Sequence, residues 1–269
     1  MTRFSRFFMN KHLQYLYVFL GFVLVGGLIY ANTLSAQFIF DSKVRITENQ
    51  YLRISSLTPG SLTEAVFNEK ASKNRPLPSL SFALNYYFDQ YNVKYYHIVN
   101  ILLHIITGLL LFFLFETLLR YSSPTPDRGH PRFAAFAAAL IWLVHPLHTQ
   151  SVTYIVQRSN IMAALFCIIS LLMYIHSRRS KRPVHKIALL AAAAVFWLLA
   201  LGCKQNAAVW PFMVCLCEWY FIQDMRKAWL KQNVKILALR ARLLARYPQR
   251  GLDRELRNST NLYGRAYRL

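Results

Sequence analysis

The stretch Ile98–Leu119, "IVNILLHIITGLLLFFLFETLL", decides the fold class of this chain. Its 22 residues carry one charged side chain, Glu116, among residues that are mostly apolar. A helix needs about 20 mostly apolar residues to cross the hydrocarbon core of a bilayer. The stretch therefore predicts a membrane-spanning helix and, with it, an integral membrane protein.

Five further apolar stretches extend this prediction along the chain. The sequence has 269 residues and is 55% apolar, which is more than a typical soluble domain contains. Some stretches are short for a span, and we expect these to use flanking aromatic residues or a thinned part of the bilayer. With Ile98–Leu119 they predict an all-α membrane protein with about six transmembrane helices. The five are Tyr15–Ala31, Phe133–Leu147, Ile161–Ile175, Ile187–Cys203 and Ala207–Ile222.

The formal net charge of +21 is concentrated in alternate connections between the predicted spans. Basic residues beside membrane spans mark the cytoplasmic side, so both termini are predicted to be cytoplasmic. Residues 32–96 then form a long first extracytoplasmic loop. A nucleic-acid partner would also explain a high positive charge, but charges that flank spans disfavour it. The basic clusters are Arg3, Arg6 and Lys11; Arg120, Arg128 and Arg132; Arg178, Arg179, Lys181, Arg182 and Lys186; and the residues after Arg226.

The sequence changes character near residue 222, which divides it into a transmembrane domain, 1–222, and a basic cytoplasmic tail, 223–269. The tail begins with apolar residues at helical spacing, from Leu230 to Leu244, so we expect an amphipathic helix on the cytoplasmic leaflet. A cleaved signal peptide over residues 1–36 is the alternative to a first span. The first apolar block is longer than usual for a signal peptide, which favours an uncleaved helix.

A polar stripe runs along the predicted span Ile98–Leu119 and the residue before it. His97, Asn100, His104 and Thr107 follow one another at steps of three, four and three, which places them on one helix face. Polar groups at membrane depth either hydrogen-bond to neighbouring helices or line a water-filled cavity. The residues alone leave both alternatives open.

A polar break, "HPLHTQSVTYIVQRSN" at 145–160, separates two apolar stretches. Pro146 ends or kinks the preceding helix, and a short amphipathic segment follows in the membrane interface. His145 and His148 are therefore expected at the outer surface. They have no carboxylate or cysteine at ligand spacing, so no cofactor is expected; a divalent metal is possible but not indicated.

Three cations fall on the outer side, where the positive-inside trend disfavours them. Arg75 lies in the long loop, Arg158 in the polar break and Lys204 in a short connection. Such cations need acidic partners or an anionic ligand. Phosphate at the membrane surface is the natural candidate, because arginine and lysine bind it through charge-assisted hydrogen bonds.

Five blocks between Ala36 and Tyr220 resemble the membrane half of the transmembrane and tetratricopeptide-repeat containing proteins and their bacterial relatives. These belong to the GT-C superfamily of multi-spanning glycosyltransferases. The resemblance implies a GT-C-like fold. The blocks are "QFIFDSKVRITEN" at 37–49, "NRPLPSLSFALNYYF" at 74–88, "YYHIVNILLHIITGLLLF" at 95–112, "LIWLVHPLHTQSVTYIVQRSNIMAALF" at 140–166 and "CKQNAAVWPFMVCLCEWY" at 203–220.

The resemblance implies transfer of a sugar from a polyprenyl-phosphate donor to a hydroxyl of a protein or glycan acceptor, on the outer face of the membrane. Asp41 occupies the place of the essential acid after the first span and would act as general base. The membrane is expected to be the bacterial inner membrane. The resemblance also implies roles for further residues. Arg158, Lys204 and Arg75 would bind the donor phosphate, and His97, Asn100, His104, His145 and His148 would line the cavity.

Three positions depart from the family pattern, because Ser42, Gln150 and Gln205 stand where relatives often have acids. The family also continues into further spans and usually a repeat domain. The basic tail is either a true ending or the product of a truncated or frameshifted reading frame. The alternative function is a non-catalytic membrane protein of the same fold, which binds a lipid phosphate or acts as a partner subunit. Whether the chain is an enzyme therefore stays open.

Overall fold

The computed structural model describes residues 11–67, 75–122 and 131–229, and the part of the chain that it describes is helical without strands. This confirms the prediction of an all-α membrane protein. The predicted amphipathic helix from Leu230 lies outside the described residues. The helices are α1 (Lys11–Tyr30), α2 (Pro59–Phe67), α3 (Pro76–Asp89), α4 (Val93–Ser122), α5 (Pro131–Leu143), α6 (His148–Thr153), α7 (Arg158–Arg179), α8 (Pro183–Cys203) and α9 (Trp210–Cys217).

Among the described residues, four helical segments are long and apolar enough to cross a membrane. They contain α1, α4, α7 and α8, and they coincide with the first, second, fourth and fifth predicted spans. The third predicted span forms α5, which has 13 residues and is shorter than a bilayer crossing requires. The sixth is divided into a 3-10 helix (Gln205–Val209), α9 and a π-helix (Glu218–Ile222). The count of six spans therefore stays a prediction.

By its contacts the chain divides into two compact units, Met1–Val214 and Cys215–Leu269. The division falls inside the sixth apolar stretch, whereas the sequence placed its boundary after residue 222. All of the residues predicted to form the site belong to the first unit.

The first unit has a tightly packed core where α1, α4 and α5 meet. Phe22 from α1 and Leu143 from α5 are both fully buried against α4. A Cβ atom at Gly108 would lie 2.9 Å from Cε1 of Phe22 and 3.1 Å from Cδ1 of Leu143. Glycine at this position lets the three helices approach closely, as small residues do in membrane helix packing.

An ion-pair network around Glu116 joins the helix ends that carry basic clusters. Glu116 of α4 lies 2.7 Å from Arg120 and 2.9 Å from Arg132 of α5, and it accepts a hydrogen bond from Tyr15 of α1. Arg179, at the end of α7, lies over the ring of Tyr121 at the end of α4. Basic residues of α4, α5 and α7 therefore gather at one end of the bundle. The long loop and the polar break lie at the other.

The long loop folds against that other end around a second apolar core. It contains a π-helix (Lys43–Thr47), a 3-10 helix (Gln50–Leu52), α2 and α3. Phe38 packs edge-on against Tyr96, with ring centroids 5.1 Å apart. The buried members of this core are Phe38, Ile46, Leu52, Ile54, Ala65, Phe82, Ala83, Tyr96 and Ile155.

Candidate functional site

Asp41 lies in a tight turn that is anchored to the polar break. Its backbone N–H donates a hydrogen bond to the hydroxyl of Tyr154, at 2.9 Å, while its side chain is exposed. The next residue, Ser42, is buried, and its Oγ accepts a hydrogen bond of 3.3 Å from the N–H of Val156. The two anchors hold the turn in place and leave the Asp41 carboxylate facing outward.

Arg75 interacts electrostatically with this carboxylate and with Arg45, and Lys204 interacts with both arginines. We call Arg45, Arg75 and Lys204 the cationic cluster. Burial is the main cause that lowers the pKa of Arg75; the charge of Arg45 lowers it further, while that of Asp41 opposes the shift. The pKa of Lys204 is lowered by burial first, and then by Arg75 and Arg45. Neighbouring positive charges contribute to both shifts after burial, so an anion bound among these residues would be stabilised.

A small cleft opens between the N-terminal turns of α3 and α7, beside the cationic cluster. Arg75 precedes the first turn of α3, and Ser159 belongs to the first turn of α7. The positive ends of both helix dipoles therefore lie at this cleft, in addition to the charges of the arginines. A phosphate group fits this combination of charge and helix termini. We call it the anion cleft; it is lined by Arg45, Arg75, Pro78, Ser79, Phe82, Val156 and Ser159.

Lys204 reaches the same region from the end of α8. Its Nζ donates a hydrogen bond of 3.3 Å to Oε1 of Gln157, the residue before α7. Gln157 also accepts a bond from Asn160, at 2.7 Å. The ammonium group is half-buried and its hydrogen bond goes to a neutral amide. This hydrogen bond does not neutralise the charge of Lys204, which can therefore interact with an anion.

Arg158 does not lie where the sequence predicted a phosphate ligand. It is completely buried, and its Nε donates a bond of 2.7 Å to Asn100 of α4. Its two terminal nitrogens donate to Asn85 of α3 at 2.7 Å and to the carbonyl of Tyr96 at 3.0 Å. The guanidinium also lies 4.5 Å above the ring of Phe82. These contacts use the donors inside the protein, so Arg158 joins α3, α4 and α7 rather than facing the anion cleft.

Three of the four residues of the polar stripe of α4 form hydrogen bonds to neighbouring segments, which is the first of its two alternatives; Thr107 instead donates to the carbonyl of Leu103 within α4. His97 bonds the carbonyl of Ala36 at 2.9 Å, and Asn100 donates to the carbonyl of Val152 at 3.1 Å. His104 bonds the carbonyl of Leu143 at 3.0 Å. His97, Asn100 and His104 are each at most 1% exposed. None of them is among the residues that line the anion cleft, and their role in lining a cavity stays a prediction.

The two histidines of the polar break lie outside the lining of the anion cleft; His145 follows the end of α5 by two residues, and His148 begins α6. His145 is exposed, whereas His148 is half-buried with its ring 4.3 Å from Trp142 and 5.2 Å from His104. Across the described ranges, no group of three or more histidine, cysteine or acidic side chains is arranged to hold a metal ion.

Acidification should destabilise the protein through His148. The pKa of His148 lies below its ordinary value of 6.5, first because of burial and then because of the charge of His145. As the pH falls below 6.5, the unfolded chain therefore binds the proton before the folded protein does, and the free energy of unfolding decreases. We expect His148→Phe to lose less thermal stability than wild type between about pH 7 and about pH 5.

The matched control for this prediction is His185→Phe, at an exposed histidine in the first turn of α8. Thermal unfolding in detergent at each pH measures the effect. The control should follow the wild-type pH dependence, and a His148→Phe protein that does the same would contradict the prediction.

Sequence reasoning missed Arg45 as a site residue. Arg45 follows Asp41 by four residues, which is one helical turn, and such spacing was the available signal. The contact of Tyr154 with the turn had no comparable signal, because 113 residues separate Tyr154 from Asp41.

The long apolar helices and the cation-lined cleft at one end of the bundle define an integral membrane protein with a polar site at that end. The chain is a homologue of the TMTC protein O-mannosyl-transferases, which confirms the family resemblance. Protein O-mannosyl-transferase TMTC2 of Mus musculus is 35% identical over 162 residues, which are 56% of this chain and 18% of that protein.

Two further relatives match longer parts of the chain. Protein O-mannosyl-transferase TMTC4 of Homo sapiens is 29% identical over 195 residues, covering 68% of this chain and 26% of its own length. Protein O-mannosyl-transferase Tmtc1 of Drosophila melanogaster is 30% identical over 196 residues, covering 71% of this chain and 21% of its own length. The chain thus spans about a quarter or less of the length of these relatives. No protein-family model and no solved structure matches it.

Proposed function

We propose that the chain carries the donor site of a GT-C-type glycosyltransferase that uses a polyprenyl-phosphate sugar. The observation that carries this proposal is the exposed carboxylate of Asp41 beside the cationic cluster and the anion cleft. The relatives are named protein O-mannosyl-transferases, which supports mannose as the sugar and a protein hydroxyl as the acceptor.

In the proposed reaction, the cationic cluster holds the phosphate of the lipid donor. The acceptor hydroxyl oxygen forms a bond to the anomeric carbon while Asp41 takes its proton. The bond between that carbon and the phosphate oxygen breaks, and its electron pair stays on the lipid phosphate. Arg45, Arg75 and Lys204 stabilise this negative charge. Attack from the face opposite the phosphate inverts the configuration at the anomeric carbon.

We further propose that the anion cleft faces the extracytoplasmic side. The basic residues at the Glu116 end of the bundle support this orientation, because positive charge favours the cytoplasmic side. The cytoplasmic position of both termini follows from the same rule. The bacterial inner membrane stays a prediction of the sequence; the relatives named above come from animals. That the protein needs no cofactor also stays a prediction of the sequence.

The second candidate is a membrane protein that binds a lipid phosphate without transferring a sugar, or serves as a partner subunit. Ser42 favours it, because the family resemblance implies a second acid at this position. The Ser42 hydroxyl is buried and bonded to the backbone of Val156, so it contributes no carboxylate to the site. The exposed Gln150 and Gln205 likewise replace acids with amides.

One reconstitution experiment tests both candidates. The full chain is placed in phosphatidylcholine vesicles with polyprenyl-phosphate mannose and a peptide that contains serine and threonine. Mannosylated peptide supports the transferase. Saturable binding of the lipid without product supports the second candidate, and neither binding nor product contradicts both.

Arg45→Gln should weaken the binding of a lipid phosphate. Arg45 lines the anion cleft, so its loss removes a charge-assisted hydrogen bond to the phosphate. We expect the dissociation constant of geranylgeranyl monophosphate to rise about tenfold or more in phosphatidylcholine nanodiscs. The matched control is Lys43→Gln, an exposed cation on the same π-helix that does not line the cleft. If both variants weaken binding equally, Arg45 acts through net charge alone and is not a ligand.

A further inference from the structure

Phe40 combines two unfavourable features in the turn before Asp41. Its backbone φ is +45°, in the left-handed region that residues with large side chains rarely adopt. Its side chain is 79% exposed, although the neighbouring Phe38 is buried in the loop core. A polar residue or a glycine would meet the backbone requirement at lower cost. The ring of Phe40 therefore calls for an explanation outside the packing of the turn.

Hydrogen bonds hold Phe40 in this conformation from both sides. The N–H of Ser42 donates to the carbonyl of Ile39, and the N–H of Lys43 donates to the carbonyl of Phe40, each at 2.9 Å. The N–H of Asp41 is fixed by Tyr154. The same turn that directs the Asp41 carboxylate outward thus also presents the Phe40 ring. Strain of this kind tends to persist at functional sites, where the surrounding structure maintains it.

Two further apolar side chains are exposed close to Phe40 in the sequence. Ile39 is 48% exposed, and Val44, four residues after Phe40, is 60% exposed. The next residue, Arg45, lines the anion cleft. We call Ile39, Phe40 and Val44 the apolar step. It is continuous in sequence with both the carboxylate and a cation of the proposed site.

The apolar step also lies close to the membrane. Phe40 follows Ser35, the last residue of the first span, by five residues, so it lies within about 18 Å of the end of that span. A lipid phosphate held in the anion cleft has a hydrocarbon chain that must run from the phosphate to the bilayer core. The first units of that chain need an apolar surface beside the phosphate, because their contact with water is unfavourable.

We propose that the apolar step binds the isoprenoid units next to the phosphate of the lipid donor. The inference rests on the proposed function, because it takes the lipid phosphate to occupy the anion cleft. Phe40 supplies the main contact, since its ring is the largest and most exposed of the three. The bulk lipid of the outer leaflet is the competing occupant. The position of the step beside Asp41 and Arg45 in the sequence favours the donor lipid, because Arg45 lines the cleft that is proposed to hold its phosphate.

The test compares two isoprenyl phosphates of different length and inorganic phosphate. The full chain in phosphatidylcholine nanodiscs is titrated with dimethylallyl monophosphate, geranylgeranyl monophosphate and inorganic phosphate. Phe40→Asn removes the ring and keeps a residue that tolerates positive φ, so the turn should persist. We expect its dissociation constant for the geranylgeranyl compound to rise about tenfold. The value for dimethylallyl monophosphate, which carries a single isoprenoid unit, should rise by a smaller factor, and the value for inorganic phosphate should stay within about twofold of wild type.

Two further variants keep the result decisive. Phe40→Tyr retains an aromatic ring and should bind the geranylgeranyl compound nearly as well as wild type. Phe88→Asn makes the same exchange at an aromatic residue that is 70% exposed near the end of α3, and it should bind all three ligands normally. If Phe40→Asn binds the geranylgeranyl compound normally, or if it binds all three ligands equally more weakly, the proposed role of the apolar step is wrong and the proposed function is unaffected. A wild-type protein that binds no isoprenyl phosphate would instead overturn the proposed function.

Discussion

Arg158→Met is expected to lower the free energy of unfolding by at least about 3 kcal/mol. The substitution keeps an unbranched side chain of similar volume but removes every donor. The side-chain oxygens of Asn85 and Asn100 then lose their donor inside the protein, where water cannot replace it, and the carbonyl of Tyr96 loses one of its donors. Thermal unfolding in detergent measures the loss, with a thiol-reactive dye that reports exposure of the buried Cys203.

Arg158→Lys separates this structural role from the phosphate contact that the sequence predicted. Lysine keeps the charge, so a phosphate ligand at this position would tolerate it. A single ammonium group cannot replace a guanidinium that donates to α3 and α4 at the same time, so we expect the lysine variant to be destabilised as well. The control is Arg53→Met, at an exposed arginine that bonds Tyr91, and it should change stability by less than about 1 kcal/mol. A lysine variant as stable as wild type would contradict the structural role.

The membrane spans were predictable because their signal is local. An uninterrupted apolar run such as Ile187–Cys203 has one stable outcome in a bilayer, a helix whose backbone groups bond to one another. The third and sixth stretches were less predictable. Pro146 removes a backbone donor just after α5, which ends three residues earlier. The sixth stretch begins inside the 3-10 helix Gln205–Val209, which separates it from α8.

The choice between the two roles of the polar stripe depends on distant partners. Periodicity placed His97, Asn100 and His104 on one face of α4. It gave no information on which carbonyl groups face them, and Leu143 lies 39 residues after His104. The same limit explains why the sequence did not predict the burial of Arg158. Its position in the sequence indicated the outer side, but its burial depends on Asn85 and Asn100, which are 73 and 58 residues away.

Asp41→Asn is expected to reduce sugar transfer by about a thousandfold while membrane insertion and donor binding persist. Asparagine has nearly the same shape, and the bond from the backbone N–H of residue 41 to Tyr154 does not involve the side chain. The variant therefore removes the base without removing the turn. Binding of geranylgeranyl monophosphate should become tighter, because the negative charge that acts on Arg75 is lost. Transfer from polyprenyl-phosphate mannose to a peptide and binding of the lipid phosphate are measured on the same preparation.

These opposite changes are what distinguish a general base from a residue that merely stabilises the loop. A loop that unfolds would lose transfer and donor binding together, because the turn at Asp41 connects through Ser42 and Tyr154 to the wall of the anion cleft. The matched control is Glu48→Gln, at an exposed acid just after the π-helix, and it should leave both measurements unchanged. Unchanged transfer in Asp41→Asn would remove this carboxylate from the reaction. The cationic cluster would then support lipid-phosphate binding alone, which is the second candidate function.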